Sequence, residues 1–122
     1  MTEDAPDPAH TEADATAEIR ALVRDLLFSS RITATARAAN VPLSVVRNPA
    51  ELPPTPARRL LVDLNLPGAL EAAAEWKRLT ACPVTGFVSH VDTDTIARAR
   101  AAGLDQVLPR SRFVEILPDL LA

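Results

Sequence analysis

Residues 59–68 read RLLVDLNLPG, an apolar run that passes into polar residues and a turn signal. Arg59–Leu66 is predicted to be a strand, and its nearly continuous apolar character is typical of a strand buried on both faces of a parallel sheet. Pro67-Gly68 predicts the turn that ends it. Asp63 and Asn65 therefore lie toward the carboxyl end of this strand, where binding sites of open parallel sheets form.

Apolar runs and helical patterns alternate on both sides of this strand. The other predicted strands are Ile19–Phe28, Pro42–Arg47, Pro83–Ser89 and Leu104–Leu108, and the predicted helices are Arg31–Asn40, Ala69–Thr80, Asp92–Ala102 and Ser111–Leu121. Ser29-Ser30 is the predicted N-cap of the first helix. The alternation predicts a doubly wound, flavodoxin-like α/β domain with five parallel strands and right-handed crossovers.

Two segments depart from this pattern because of their prolines. Residues 48–58, NPAELPPTPAR, contain four prolines, so at most one helical turn is expected around Ala50–Leu52, and the second helix is degenerate. Pro118 interrupts the last helix, for which we expect a kink or two short pieces. That helix is more apolar than one docking face requires. Its excess indicates either burial against the sheet or a surface for a partner or a second copy of the chain.

The first 16 residues differ in composition from the rest. They contain five acids, two prolines and no large apolar residue after Met1, so we predict a disordered acidic tail followed by a folded domain over residues 17–122. The formal net charge is −3, so the five acids leave the rest of the chain with a net charge of +2. The tail is expected either to solubilise the chain or to fold back onto a basic face.

Composition excludes several classes of function. One cysteine, Cys82, and two distant histidines, His10 and His90, argue against a disulfide framework and a metal cluster built from these residues. A net charge of −3 and four aromatic residues without tyrosine argue against nucleic-acid binding. No window approaches the roughly 18 apolar residues of a membrane span, and the N-terminus does not resemble a signal peptide. We therefore predict a cytoplasmic protein with neither nucleic acid nor membrane as partner.

The carboxyl ends of the predicted strands bring four polar side chains to one edge of the sheet: Asp25, Asp63, Ser89 and Arg110. A carboxylate, a hydroxyl and a cation at converging positions indicate a site for an anion or a phosphoryl group. Ser89 could instead cap the helix that begins near Asp92. The sequence has no glycine-rich phosphate loop and no nucleophile–histidine pair, so we do not expect an enzyme.

From Ile19 to Leu121 the sequence resembles the receiver domain of response regulators, the CheY-like family. Residues 63–68 resemble the family's phosphoacceptor segment D-x-N-x-P, Ser89 its switch Ser/Thr, and residues 101–105 its A-G-A-D run. Arg110 stands where the family has a lysine. The resemblance implies the strand order 2-1-3-4-5, with Asp63 as the phosphoacceptor and Ser89 and Arg110 as groups that bind the phosphoryl oxygens.

The acidic pair that helps receiver domains hold Mg²⁺ is Arg24-Asp25 here. The resemblance leaves Asp25, Asp63 and the backbone carbonyl of Asn65 as Mg²⁺ ligands, and the loss of one carboxylate is expected to weaken metal binding considerably. Asp25 could instead be the partner of an arginine. Arg24 is expected either to act as a built-in cation beside Asp63 or to point to solvent. Arg110 is expected to pair with Asp63.

Two functions remain open from the sequence. The first is a stand-alone receiver in signal transduction that receives a phosphoryl group from a histidine kinase at Asp63 and acts through protein–protein contacts, with a homodimer through the last helix as one form of contact. The alternative is a pseudo-receiver, a constitutive interaction module that is not phosphorylated. Val107, at the position of the family's aromatic switch residue, favours the alternative. In that case loss of Asp63 would destabilise the fold by leaving buried arginines without a partner.

Overall fold

The computed structural model describes residues 18–89 and 92–122. This part contains the strands β1 Ile19–Leu22, β2 Leu43–Val46, β3 Arg59–Asp63, β4 Val84–Val88 and β5 Gln106–Pro109, and the helices α1 Leu26–Ala38, α2 Ala69–Thr80, α3 Thr93–Ala101 and α4 Arg110–Leu120. All strand pairs are parallel and the order is β2-β1-β3-β4-β5. The predicted doubly wound sheet is therefore confirmed. The predicted tail and His90 lie outside the described residues.

The sheet separates two apolar cores. On one face, α1 and α4 cover Ile19, Ala21, Leu61 and Phe87, and on the other face α2 and α3 cover Leu22, Leu60, Val62 and Val84. Strand β3 supplies Leu61 to the first core and Leu60 and Val62 to the second, so both of its faces are buried. This double burial is the reason why the strand needs an almost continuous apolar run.

The first helix begins earlier than the sequence predicts. Strand β1 ends at Leu22, and Asp25 is the N-cap of α1, with its Oδ1 accepting hydrogen bonds from the N–H groups of Leu27 at 2.9 Å and Phe28 at 3.3 Å. The predicted Ser29-Ser30 cap is wrong because an acceptor four residues earlier already satisfies the first N–H groups. The Ser29 hydroxyl donates back to the Leu26 carbonyl inside the helix.

The proline-rich segment replaces a helix as predicted. It forms only a 3₁₀ turn, Pro49–Glu51, capped by the side chain of Asn48. Two side chains then hold its later part against the sheet: Arg20 Nη1 and Trp76 Nε1 both donate to the Thr55 carbonyl, at 2.7 and 3.0 Å. The segment thus covers part of the face that a helix would otherwise cover.

The last helix is continuous, so the predicted division into two short pieces is wrong. Pro118 lies in the final turn of α4, where little helix remains to be disrupted. Phe113, Leu117, Leu120 and Leu121 are all buried, which accounts for most of the apolar excess by packing against the sheet. Within the described ranges, no helix is both long enough and apolar enough to cross a membrane.

Candidate functional site

Asp63 ends the central strand β3 and lies half-buried at the carboxyl edge of the sheet. Its Oδ1 accepts a hydrogen bond from the N–H of Asn65 at 3.0 Å. Its Oδ2 has no hydrogen-bond partner among the described residues. Burial raises the pKa of Asp63 above its ordinary value of 3.8, the Asn65 N–H and the charge of Arg110 oppose this rise, and the charge of Asp25 adds to it. Asp25, Asp63 and Arg110 are therefore close enough to interact, as predicted.

Arg110 has a different partner from the predicted one. As the first residue of α4, it donates through Nη2 to Asp25 Oδ2 at 3.2 Å, and its Cζ lies 3.9 Å from the centre of the Phe28 ring. Asp25 is available because it caps α1 rather than ending a strand, so its second oxygen faces the start of α4. The hydrogen bonds from the Phe28 N–H and from Arg110 lower the pKa of Asp25 below 3.8.

Arg24 contacts the neighbouring strand and not Asp63. Its Nε donates to the Arg47 carbonyl at 3.5 Å, and Arg47 Nη2 donates to the Arg24 carbonyl at 3.1 Å. Both side chains are exposed. The hypothesis of a built-in cation beside Asp63 is therefore not supported for Arg24, and Arg110 is the cation that lies at the carboxylates.

Asn65 and Ser89 join the loops that follow β3 and β4. The Asn65 Oδ1 accepts a hydrogen bond from the Ser89 N–H at 2.6 Å. The Asn65 side chain therefore joins the two loops, whereas the sequence had suggested a role only for its backbone carbonyl, as a metal ligand. Ser89 is exposed and does not cap α3, because Asp92 is the N-cap and accepts from the Thr95 N–H at 3.1 Å. The Ser89 hydroxyl therefore stays at the rim of the site.

Phe28 is a second residue that sequence reasoning missed. Its ring packs against those of Phe87 and Phe113 in a tilted arrangement, with centroids 4.9 and 5.8 Å away, and Arg110 lies over its face. An arginine over an aromatic face is held by a cation–π attraction. The available signal was the position of Phe28 three residues after an N-capping aspartate, which places it on the first helical turn.

Asp25, one of the groups predicted to hold Mg²⁺, has both carboxylate oxygens engaged by other groups. Oδ1 of Asp25 accepts two N–H groups of α1, and its Oδ2 accepts from Arg110. Mg²⁺ demands near-octahedral oxygen ligation, and a guanidinium already bound to one ligand opposes it. Over residues 18–89 and 92–122, no group of three or more His, Cys, Asp or Glu side chains is placed to hold a metal ion.

A groove of about 660 Å³ adjoins this site between α1 and α4. Its lining combines apolar, hydroxyl and basic side chains: Leu27, Phe28, Arg31, Ser89, Arg110, Ser111 and Val114. Leu27 is 85% exposed although it is a large apolar residue. The site thus consists of a half-buried carboxylate, a second carboxylate paired with an arginine, and an open groove beside them.

No protein-family model and no curated protein matches the chain. Solved structures do match it. The phosphorylated cyanobacterial phytochrome response regulator RcpA is 20% identical, with a TM-score of 0.70 over 87% of this chain and 91% of that one. The Mn²⁺-bound form of response regulator Rcp1 is 20% identical, with a TM-score of 0.69 over 86% and 88%. A CheY-like receiver domain protein from Methanospirillum hungatei JF-1 is 12% identical, with a TM-score of 0.73 over 87% and 94%. With its strand order β2-β1-β3-β4-β5, the chain has the fold of the CheY-like receiver domains of response regulators.

Proposed function

We propose that this chain is a receiver-type signalling domain that acts by contacting other proteins, and that Asp63 accepts a phosphoryl group. The observation that carries the proposal is the position of Asp63, at the end of the central strand with one carboxylate oxygen unengaged. A cation and a hydroxyl lie at the same edge, in Arg110 and Ser89. One protein of the same fold, RcpA, is known in a phosphorylated form, which supports the proposal by analogy of fold.

The nucleophile of this reaction is the ionised carboxylate of Asp63. Its free oxygen attacks the phosphorus of a phosphohistidine or an acyl phosphate. The new oxygen–phosphorus bond forms while the bond from phosphorus to the donor's leaving group breaks, and the electron pair departs with that group. No proton has to be removed from Asp63. A histidine kinase is the protein donor that this reaction implies.

The product would place new negative charge beside Arg110. A phosphoryl group carries about −1.5 to −2 charges and three strong acceptor oxygens, so it competes with Asp25 for the guanidinium. Release of Asp25 changes the contact between the start of α4 and the start of α1, because the 3.2 Å hydrogen bond that joins them is lost. The altered α1–α4 surface is the signal that a partner protein reads.

Intact-mass measurement after incubation with acetyl phosphate, with and without Mg²⁺, tests the phosphoacceptor. Wild type, Asp63→Asn and Asp119→Asn are compared, because Asp119 is an exposed carboxylate of α4 outside the site. We expect one phosphoryl adduct in wild type and in Asp119→Asn, and none in Asp63→Asn. A folded wild type that gains no adduct in either condition would contradict the role of Asp63.

The second candidate function is a constitutive interaction module, and the Arg110–Asp25 pair favours it. Arg110 is held both by Asp25 and by the Phe28 ring, so the cation is already occupied without any phosphoryl group. In this case partner binding would be the same for wild type and Asp63→Asn, with or without a phosphodonor. The first candidate requires the donor to change binding by wild type alone.

A further inference from the structure

The groove between α1 and α4 presents apolar and basic groups side by side. Leu27 is 85% exposed at one wall, and the half-buried Val114 lies at the other. Arg31 and Arg110 supply two positive charges, of which that of Arg110 is shared with Asp25, and no carboxylate is among the described residues that line the groove. Arg31 makes no ion pair with any residue in the ranges that the structure describes. Such a surface fits an acidic peptide that also carries small apolar residues.

The chain itself contains a segment of this chemistry. Residues 1–17, MTEDAPDPAHTEADATA, have five acids and no Lys or Arg, and most of the other residues are Ala and Pro. Their formal charge is −5, whereas the rest of the chain has a net charge of +2. The two parts are therefore electrostatically complementary, and the attraction between them weakens as the salt concentration rises.

The length of this segment allows it to reach the groove. Glu18 precedes β1, whose four residues span about 13 Å toward the carboxyl edge of the sheet. An extended chain spans at most about 3.3–3.6 Å per residue, so Asp14 reaches roughly 14 Å from Glu18 and Glu12 reaches roughly 20 Å. Glu12 can therefore extend past the length of β1 toward Arg110, whereas Asp14 reaches only about the length of the strand, toward Arg31 in the second turn of α1.

We propose that the acidic segment before Glu18 docks in the α1–α4 groove of its own chain, with Glu12 and Asp14 meeting Arg31 and Arg110. Covalent attachment gives the segment an effective concentration on the order of millimolar, so weak individual ion pairs suffice. The docked segment covers Ser89 and Arg110 and competes with any acidic partner for the same surface. This proposal does not depend on phosphorylation of Asp63.

Hydrogen-exchange mass spectrometry on the full chain tests the docking. The double variant Glu12→Gln/Asp14→Asn removes the proposed carboxylates, and Glu3→Gln/Asp4→Asn makes the same charge change farther from Glu18. We expect the first variant to speed exchange in peptides from the starts of α1 and α4 by roughly threefold to tenfold, since exposed ion pairs are individually weak. The second variant should change exchange there by less than about twofold.

A second pair of variants tests the groove side. Arg31→Gln should speed exchange as the acidic double variant does, whereas Arg100→Gln, an exposed arginine at the end of α3, should leave it unchanged. Adding 1 M NaCl, where the Debye length is about 3 Å, should abolish the difference between wild type and the acidic variant.

Unchanged exchange in the acidic double variant would overturn the proposal. Protection that rises with protein concentration would also overturn it, because the occupant would then belong to another copy. Neither outcome bears on the phosphoryl adduct at Asp63, so the two proposals fail separately.

Discussion

At the scale of single residues, the two carboxylates of the site have opposite environments. Asp25 is exposed, and hydrogen bonds from the Phe28 N–H and Arg110 lower its pKa. Asp63 is half-buried, and desolvation raises its pKa. Neighbouring carboxyl groups whose pKa values are pushed apart usually have different roles. Here Asp25 serves as a helix cap and ion-pair partner, whereas Asp63, whose pKa is raised, has the proposed role of oxygen nucleophile.

Asp63→Asn should stabilise the fold at neutral pH. Because the pKa of Asp63 is raised in the folded state, its contribution to stability is complete below its ordinary pKa of 3.8 and is lost as the pH rises through the folded value. Asparagine keeps the acceptor for the Asn65 N–H. We expect a gain of up to about 1 kcal/mol at neutral pH after allowance for solvent screening, and no gain below the ordinary pKa. Urea unfolding at both pH values measures it.

The sign of that change separates two accounts of Asp63. The sequence alone predicted, for a pseudo-receiver, that loss of Asp63 would destabilise the fold by leaving arginines unpaired. Since Arg110 donates to Asp25, the structure removes this reason. A variant less stable than wild type at neutral pH would show that Asp63 holds an arginine after all.

Asp25→Ser and Asp25→Ala separate the two roles of Asp25. Serine retains an N-cap acceptor, so Asp25→Ser loses only the pair with Arg110, whereas Asp25→Ala loses the pair and the cap. The folded pKa of Asp25 is lowered, so its ionic contribution is present above 3.8 and is lost as the pH falls through the folded value. We expect the urea midpoint to decrease in the order wild type, serine, alanine at neutral pH. At acid pH wild type and serine should converge, and a constant gap between them would contradict the ion pair.

At the scale of secondary-structure elements, sequence patterns predicted α2 completely and misplaced the start of α1. Ala69–Thr80 has a regular apolar face and a preceding turn, so the prediction and the structure agree. Leu26 and Leu27 continue the apolar run of β1 but are 61% and 85% exposed in the first turn of α1. Hydrophobicity alone cannot distinguish such exposed leucines from strand residues. The predicted strand ends were enough to place the site residues at one edge of the sheet. The pairing of Arg110 with Asp25 rather than with Asp63 depends on side-chain geometry, which the sequence does not give.

Gly86→Ala should strain β4 against the side chain of Leu64, the residue that follows Asp63. A Cβ at Gly86 would lie 2.6 Å from Leu64 Cδ1 and 2.9 Å from Leu64 Cγ, and Leu64 is buried next to Asp63. We expect a loss of about 1–3 kcal/mol in unfolding free energy, typical of overpacking. Urea unfolding of Gly86→Ala in wild-type and Leu64→Ala backgrounds measures the coupling. An equal cost in both backgrounds would show that contact with Leu64 is not the cause.

At the scale of the whole molecule, the chain has the fold of receiver domains. The charged side chains at the carboxyl edge of its sheet differ from those that the motif of the family would give. By the resemblance of the sequence to receiver domains, Arg24 and Arg110 correspond to an acid and a lysine of that family, and Arg31 and Arg47 add two exposed charges near that edge. Asp25 and Asp63 oppose them, and Asp92 and Asp94 add negative charge where α3 begins. The surplus of positive charge therefore lies on the α1 side of the edge, which favours an acidic segment or a phosphoryl group there.

The effect of Mg²⁺ on the thermal stability of the fold measures how strongly this edge of the sheet binds a divalent cation. A ligand that binds only the folded state raises stability by RT ln(1 + [L]/Kd), so the thermal midpoint reports Mg²⁺ affinity. In wild type, Mg²⁺ must displace Arg110 from Asp25, and we expect millimolar Mg²⁺ to change the midpoint by less than about 1 °C. Arg110→Ala frees Asp25 and should increase the Mg²⁺-dependent rise, whereas Arg112→Ala, which removes an exposed arginine paired with Glu115, should behave as wild type. If Mg²⁺ stabilised wild type as much as Arg110→Ala, the Arg110 guanidinium would not be the group that opposes the metal ion. The arginine at position 24, where the resemblance implies a carboxylate, would then also be insufficient to weaken Mg²⁺ binding.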